Sequence, residues 1–381
     1  MNHPIIIIGT GLSGYQLARE YRKLDQTSPL VLITESDGRF YPKPQLSTAL
    51  TNKKTSDSLA TANAESMMKQ LNATIKTKTK VTTINPESQT IQANDETLNY
   101  SKLILALGAT VIDPNLKGNA VSDVLSINHL EDYAVFEKTL QNKKNIAILG
   151  AGLIGCEFAN DLSNAGFKVE VIDLANSAIS LLLPNNIGKL LQEALEKNGV
   201  HFNFECKAEE INKTGKHYEL ILSHQKKLNS DLVISAIGLR PNLTLAKAAN
   251  IETARGIIVN RYLETNQKNI YALGDCAEVE GHVLPYIAPI LNAARALAKT
   301  LAGQKTAVEY PAMPVIIKTP AHPIVVCPPP RHMQGNWQIE TANNNTKALF
   351  YNDNYELYGF ILTNEFVKER MALVTQLPKL I

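Results

Sequence analysis

Two glycine-rich motifs of identical spacing are the residues of this chain best suited to chemistry. The first is Gly9–Gly14 (GTGLSG) and the second is Gly150–Gly155 (GAGLIG). Each follows an apolar run and precedes a helical pattern. In a G-x-G-x-x-G turn the glycines allow a tight turn, close approach of the backbone to a pyrophosphate, and close packing of helix on strand. Two such turns predict two dinucleotide sites.

An acidic residue follows each motif where a ribose would be bound. Glu35 comes directly after the apolar run Leu30–Thr34, and Asp173 comes directly after Val169–Ile172. A carboxylate at this point accepts hydrogen bonds from the ribose hydroxyls and repels a 2′-phosphate. We therefore expect NADH rather than NADPH beside Asp173. The alternative interpretation of either acid is a solvated side chain at a strand end.

Composition and charge narrow the class of protein. The 381 residues are enough for two or three domains, and the composition is that of an ordinary soluble α/β protein. A formal net charge of +2 favours neither a nucleic acid nor a membrane as partner, and no apolar run has the length of a membrane span. The four cysteines are too far apart to predict a zinc site. We expect no metal and a cytoplasmic location with reduced thiols.

The strands and helices that would position these motifs occur twice. Each unit contains a strand, the glycine motif, a helix, the acidic strand and a closing strand. The closing segments are Lys102–Ala109 and Asp231–Asn242. After about residue 310, apolar runs separated by turns predict an antiparallel sheet, and residues 366–377 a terminal helix. The predicted fold class is α/β, with two Rossmann-like dinucleotide-binding domains and a C-terminal α+β domain that contains the antiparallel sheet.

Together these features resemble a known family. The paired motifs, the Gly238–Asn242 turn and Gly274–Asp275 are similar to the FAD/NAD(P)H reductases of the glutathione-reductase superfamily. Where the disulfide-reducing members carry cysteines, this chain has Phe40–Ser47 (FYPKPQLS), which resembles the branch that reduces iron–sulfur or iron–thiolate proteins. Residues 150–162 (GAGLIGCEFANDL) and 318–331 (KTPAHPIVVCPPPR) are similar to bacterial NADH:rubredoxin reductases, of which flavorubredoxin reductases are close relatives.

The resemblance implies FAD in the first unit and NADH in the second. It implies an FAD-binding domain of two segments, 1–112 and 241–310, an NAD(H)-binding domain 113–240, and a C-terminal domain 311–381. The residues expected to bind FAD are Thr10, Gly11, Leu12, Ser13, Glu35, Ser36, Lys43, Val81, Glu157, Asp275, Ile287 and Lys318. The residues expected to bind NADH are Gly150, Gly152, Gly155 and Asp173.

Lys43 and Glu157 are the expected catalytic residues. In the branch that the chain resembles, the lysine of the K-P-x-L-S block and the acid two residues after the second motif meet beside flavin N5. Lys318 is a third charged candidate because it interrupts an apolar strand, and lysine is rarely buried without a partner. Taken alone, Lys43 also fits a solvated loop lysine, and Glu157 a helix-surface acid.

The implied function is transfer of electrons from NADH, through FAD, to rubredoxin. Two alternatives stay open: a reductase of a [2Fe–2S] ferredoxin or flavorubredoxin, and an NADH-sensing flavoprotein that acts by binding a partner. Rubredoxin is a small acidic protein, so basic groups near the flavin are expected at its docking surface. The candidates are Lys43, Lys318, Arg331 and His332.

Overall fold

The computed structural model describes residues 3–330 and 332–381. The four isoleucines before the first glycine motif form a strand that is buried along its whole length, as expected for a central parallel strand covered on both faces. The elements up to residue 111 are β1 Ile5–Ile8, α1 Leu12–Arg22, β2 Leu30–Ile33, a 3₁₀ helix Lys43–Thr48, α2 Ser56–Leu59, α3 Ala64–Leu71, β3 Thr74–Lys76, β4 Val81–Asn85, β5 Thr90–Ala93, β6 Glu96–Asn99, β7 Lys102–Leu105 and β8 Ala109–Val111.

The second glycine motif joins a second buried strand to a helix in the same way. The elements from residue 121 to residue 241 are a 3₁₀ turn Val121–Asp123, α4 Leu130–Thr139, β9 Asn145–Leu149, α5 Leu153–Asn164, β10 Lys168–Ile172, α6 Asn185–Lys197, β11 Val200–Asn203, β12 Ala208–Thr214, β13 His217–Leu222, a 3₁₀ turn Ser223–Gln225, β14 Lys227–Ser230, β15 Leu232–Ser235 and β16 Leu239–Pro241. The order of elements therefore repeats that of the first unit.

The rest of the chain completes the first unit and adds a separate sheet. Its elements are α7 Thr244–Ala248, β17 Ile257–Val259, β18 Ile270–Ala272, a 3₁₀ turn Gly274–Cys276, β19 Ala277–Val279, α8 Ile287–Leu301, β20 Val315–Ile317, β21 Ile324–Cys327, β22 Asn336–Ala342, β23 Asn345–Tyr351, β24 Leu357–Thr363, a 3₁₀ helix Asn364–Glu369 and α9 Arg370–Val374. No helix in the described ranges is long and apolar enough to cross a membrane.

Two parallel sheets hold the glycine motifs at the carboxyl ends of their central strands. The first has the order β18-β7-β1-β2-β3 and the second the order β11-β10-β9-β15. The chain therefore leaves the first sheet after β7 and returns to it at β18. The segment that leaves the first unit and the segment that returns to it lie side by side, because β8 pairs with β16 in antiparallel register. Each unit also carries a three-stranded antiparallel sheet, β4-β5-β6 or β12-β13-β14.

The C-terminal segment forms a five-stranded antiparallel sheet in the order β20-β21-β24-β23-β22. This confirms the predicted fold class. The expected terminal helix over residues 366–377 is confirmed only in part, since α9 covers five of these residues and the 3₁₀ helix Asn364–Glu369 precedes it. Phe366 and Val367 pack against the same core as the buried Leu373, and this tertiary packing outweighs the helical pattern of the sequence.

Candidate functional site

The two glycine motifs share one backbone geometry. Their first glycines, Gly9 and Gly150, have φ values of +116° and +105°, which other residues rarely adopt. A Cβ atom on the third glycine of either motif would collide with the carbonyl of the first, whereas around the middle glycine the space is open. No side chain caps α1 or α5, so their first N–H groups are available to an anion. Both turns fit a dinucleotide pyrophosphate.

The Gly274–Asp275 turn packs directly on the first motif. Gly274 has a φ of +80°, and a Cβ atom there would collide with the Ser13 side chain in the first turn of α1. Burial raises the pKa of Asp275, and the positive charge of Lys43 opposes this shift. A partly buried carboxylate beside a pyrophosphate-binding turn fits the hydroxyl groups of a flavin nucleotide.

Lys43 begins the 3₁₀ helix Lys43–Thr48 and points into the interior between the two units. Its Nζ donates a hydrogen bond to Asn128 Oδ1 at 2.7 Å. Burial lowers the pKa of Lys43, while the carboxylates of Asp275 and Asp132 act in the opposite direction. The ammonium group therefore contacts Asn128, which precedes α4 at the start of the second unit. It is also attracted by Asp275, which lies in the segment that completes the first unit.

Glu157 is the most deeply buried charge of the site, with a side-chain exposure of 0%. Ser47 Oγ donates to its Oε2 at 2.6 Å, and the backbone N–H of Lys318 donates to its Oε1 at 3.0 Å. Lys318 Nζ donates to Oε2 at 2.5 Å and also to Ser47 Oγ and the Pro44 carbonyl. These contacts satisfy all three donors of the ammonium. The Glu157 carboxylate thus connects α5 with the 3₁₀ helix Lys43–Thr48 and with Lys318, which follows β20.

The structure corrects the expected contact between Lys43 and Glu157. The cation paired with Glu157 is Lys318, because Ser47, rather than Lys43, is the residue of the 3₁₀ helix that lies against α5. For the four expected docking cations the outcomes differ. Lys43 and Lys318 are committed to internal hydrogen bonds, His332 is exposed, and Arg331 lies outside the described residues.

The residues expected at the adenosine end of the first site lie at the end of β2 and the start of β4. Glu35 is exposed, with Oε2 3.8 Å from Lys80 Nζ. Ser36 Oγ lies 3.0 Å from Thr34 Oγ1, and Val81 is the next residue after Lys80. The Glu35 carboxylate is therefore free to accept ribose hydroxyls, and the neighbouring lysine adds positive charge.

The remaining residues expected at FAD lie around α1 and α8, which pack against each other. Thr10 is buried within the glycine motif, and Gly11 caps α1 with an exposed backbone. Leu12 and Ser13 form the first turn of α1. Ile287 begins α8 and is 46% exposed, so its apolar side chain is accessible to a ligand.

Asp173 lies at the carboxyl end of β10, against the second glycine motif. One carboxylate oxygen accepts the N–H of Ala151 at 2.5 Å, and the other accepts the N–H of Ala175 at 2.7 Å. A carboxylate has about four lone-pair positions, so each oxygen can accept one further bond from a ribose hydroxyl. The two backbone bonds fix the orientation in which it would do so.

Sequence reasoning missed three residues of this region: Ser47, Asn128 and His129. Ser47 belongs to the K-P-x-L-S block, but nothing in the sequence assigns it to Glu157. Asn128 and His129 directly precede α4, and Asp132 Oδ2 accepts the backbone N–H of both. The helix-start pattern of polar residues followed by an acid could have marked this turn as ordered.

Residues 3–299 match the family described as "Pyridine nucleotide-disulphide oxidoreductase". The chain belongs to this family. Residues 307–377, which include the antiparallel sheet, match a second family, "Rubredoxin binding C-terminal domain".

Relatives and solved structures agree with this membership of the oxidoreductase family. The "Rubredoxin-NAD(+) reductase" of Alcanivorax borkumensis is 47% identical over 378 residues, 99% of each chain. The "Nitric oxide reductase FlRd-NAD(+) reductase" of Aliivibrio fischeri is 36% identical over 377 residues, also 99% of each chain. The crystal structure of a ferredoxin reductase from Rhodopseudomonas palustris has a TM-score of 0.89 at 25% identity, covering 99% of this chain and 95% of that one. The resemblance to the FAD/NAD(P)H reductases is confirmed.

This member of the oxidoreductase family has no paired thiols with which to reduce a disulfide. All four cysteines are free and buried. Burial raises the pKa of Cys276 to about 12 and also raises the pKa of Cys156. Because the thiolate is the reactive form of cysteine, these side chains are suited to packing rather than to redox chemistry.

Proposed function

We propose that this oxidoreductase takes a hydride from NADH and passes single electrons to rubredoxin, with FAD as its cofactor. The observation that carries the proposal is the combination of two dinucleotide-binding turns with a C-terminal segment that matches a rubredoxin-binding domain. One NADH and two oxidised rubredoxins give NAD⁺, one proton and two reduced rubredoxins. Each iron takes one electron, and the two electrons are those of the hydride.

FAD, when bound, supplies the step that neither substrate can make alone, since it accepts two electrons together and gives them up singly. The protein holds it at the first glycine motif and at Asp275, and the acidic Glu35 binds the ribose. The proposed FAD-binding set is Thr10, Gly11, Leu12, Ser13, Glu35, Ser36, Lys43, Val81, Glu157, Asp275, Ile287 and Lys318.

Lys43 and Glu157 have separate roles at the catalytic site in this proposal, Lys43 as a charge beside the cofactor and Glu157 as a positioning residue. The Lys43 ammonium favours negative charge on the reduced cofactor, because it is half-buried and poorly screened. Glu157 holds Lys318 and Ser47 in fixed positions at the junction of the three parts of the chain. Hydride transfer depends on orientation and needs no proton donor to the substrate, so fixed charges suit it better than a titrating acid.

NADH binds at the second glycine motif, through Gly150, Gly152 and Gly155, with Asp173 at its adenosine ribose. The proposed boundaries are 1–112 and 241–310 for the FAD-binding domain, 113–240 for the NAD(H)-binding domain and 311–381 for the C-terminal domain. We place the protein in the cytoplasm, where its four unpaired buried thiols stay reduced.

A flavorubredoxin is the second candidate acceptor, favoured by the full-length relative in Aliivibrio fischeri. The test compares second-order rates of reduction of a rubredoxin, a flavorubredoxin and a [2Fe–2S] ferredoxin by the FAD-loaded protein with NADH. We expect rubredoxin to be reduced fastest. A higher rate with either other acceptor would replace rubredoxin in the proposal, and NADH oxidation without any acceptor reduction would refute it.

A further inference from the structure

The hydrogen bond between Lys43 and Asn128 has no role in the function described so far. Asn128 lies 85 positions after Lys43 in the chain, and its side chain supplies the acceptor for the ammonium at 2.7 Å. Asn128 is only 4% exposed. A buried amide must satisfy its donors and its acceptor within the protein, so its contacts determine which way it faces.

The neighbours of Asn128 fix the orientation of its amide. An ammonium group has only donors, so the amide oxygen must face Lys43. The amide nitrogen then faces the carbonyl oxygen of Ala109 and the Nε2 atom of His129, each at 3.0 Å. Both N–H bonds find acceptors only when His129 Nε2 carries no proton. A reversed amide would place donor against donor at Lys43 and oxygen against oxygen at Ala109.

The backbone around Asn128 is held at several points. Asp132 Oδ2 accepts the N–H of Asn128 and that of the following residue at 2.9 and 2.8 Å. The N–H of Leu130 donates to the Tyr41 hydroxyl oxygen at 3.1 Å. Tyr41 lies two residues before Lys43, so this turn is bound to the lysine-bearing segment by two independent contacts.

We propose that Asn128 is a positioning residue that fixes the Lys43 ammonium at the flavin, and that neutral His129 locks its amide. The inference rests on the proposed FAD site and deepens it. Within the described ranges, Asn128 Oδ1 is the one hydrogen-bond acceptor of Lys43 Nζ. Asp275 and Asp132 attract the ammonium through their charge, but lysine is a flexible point charge, and attraction alone does not fix its position.

The protonation of His129 is linked to this arrangement. Desolvation and the charge of Lys43 lower the pKa of His129, while Asp132 and Glu131 oppose the shift. A proton on Nε2 would place a donor opposite the Asn128 amide nitrogen, so either that bond is lost or the amide turns away from Lys43. Neutral His129 and a correctly placed Lys43 therefore favour each other.

Two variants of the FAD-loaded protein separate positioning from folding. Asn128→Leu keeps much of the volume and removes the acceptor, whereas Asn128→Asp keeps an oxygen facing Lys43. We expect flavin reduction by NADH to slow about tenfold in Asn128→Leu, the scale of one lost charged hydrogen bond, and to stay within about threefold in Asn128→Asp. The matched control is Asn352→Leu, which removes the side-chain acceptor of two backbone N–H groups in the turn between β23 and β24 and should reduce flavin at the wild-type rate.

A second readout does not depend on turnover. NMR titration of the FAD-loaded protein, with His129→Gln to assign the signal, measures the pKa of His129. We expect a wild-type pKa below the ordinary 6.5. In Asn128→Asp a carboxylate oxygen replaces the N–H group facing Nε2, so the pKa of His129 should rise above the wild-type value.

These outcomes decide the inference even if Asn128→Leu does not fold. A wild-type pKa of His129 at or above 6.5, or no rise in Asn128→Asp, would overturn it. An FAD-loaded Asn128→Leu protein with wild-type flavin reduction would also overturn it. A wild-type protein that binds no FAD or reduces no rubredoxin would instead refute the proposed function, before any variant is compared.

Discussion

Removal of Lys318 should destabilise the protein far more than removal of an exposed ion-paired lysine. Lys318 is the charge partner of Glu157, whose side chain is completely buried. Lys318→Met leaves that carboxylate without its cation, and breaking a buried pair in this way costs about 3–5 kcal/mol. The unfolding entropy of a chain of this length, about 0.8 kcal/mol/K, converts the cost into a fall in Tm of about 4–6 °C.

The assay is thermal unfolding followed by circular dichroism, with FAD in excess for every variant. Glu157→Gln keeps the volume of the side chain, and Lys318, which is 31% exposed, keeps Pro44 and Ser47 as acceptors, so Tm should fall by about 1–3 °C. Lys69→Met is the control, because Lys69 and Glu65 are 77% and 69% exposed and such pairs contribute about 0–1 kcal/mol. Equal Tm values for Lys318→Met and Lys69→Met would refute the reasoning.

Three further predictions concern the nucleotide, pH and the thiols. Asp173→Ala should lower kcat/KM for NADH about tenfold, the scale of the lost ribose hydrogen bonds, and leave NADPH little changed; an unchanged ratio of the two would show that Asp173 does not select the nucleotide. Burial lowers the pKa of His322 below the ordinary 6.5, so as pH falls below 6.5 the unfolded chain binds a proton before the folded one does, and stability should decrease. Tm measured at pH 7.5 and 5.5 should fall less in His322→Asn, and an equal fall in both proteins would contradict this. Cys156→Ala and Cys276→Ala should still reduce rubredoxin once loaded with FAD, because burial keeps both thiols protonated; loss of the reaction in such a variant would mean that a thiol takes part.

The glycine motifs could be interpreted from the sequence because their requirement is local. Gly9 and Gly150 adopt positive φ values that follow from the turn itself, and the apolar runs before them form buried parallel strands. The duplication of this pattern then predicts two similar sheets. The resemblance to the reductase family also implied FAD binding by Asp275, and the neighbouring Gly274 packs on the first motif.

The partners of the charged residues could not be predicted, because they depend on how distant segments pack. The cation of Glu157 lies 161 positions away, and the acceptor of Lys43 lies 85 positions away. Lys43 and Lys318 are both lysines in apolar surroundings, and the sequence does not distinguish which one reaches the carboxylate. The 3₁₀ helix that begins at Lys43 determines the pairing, since it places Ser47 against Glu157.

The central claim is that bound FAD divides one hydride from NADH between two rubredoxins. The most direct measurement mixes the FAD-loaded protein with a limiting amount of NADH and excess oxidised rubredoxin without oxygen, and follows the rubredoxin absorbance. The account predicts two reduced rubredoxins for each NADH consumed, and no reduction by an Asp275→Ala protein that has lost its FAD. NADH consumption without rubredoxin reduction, or equal reduction by FAD-free protein, would contradict it.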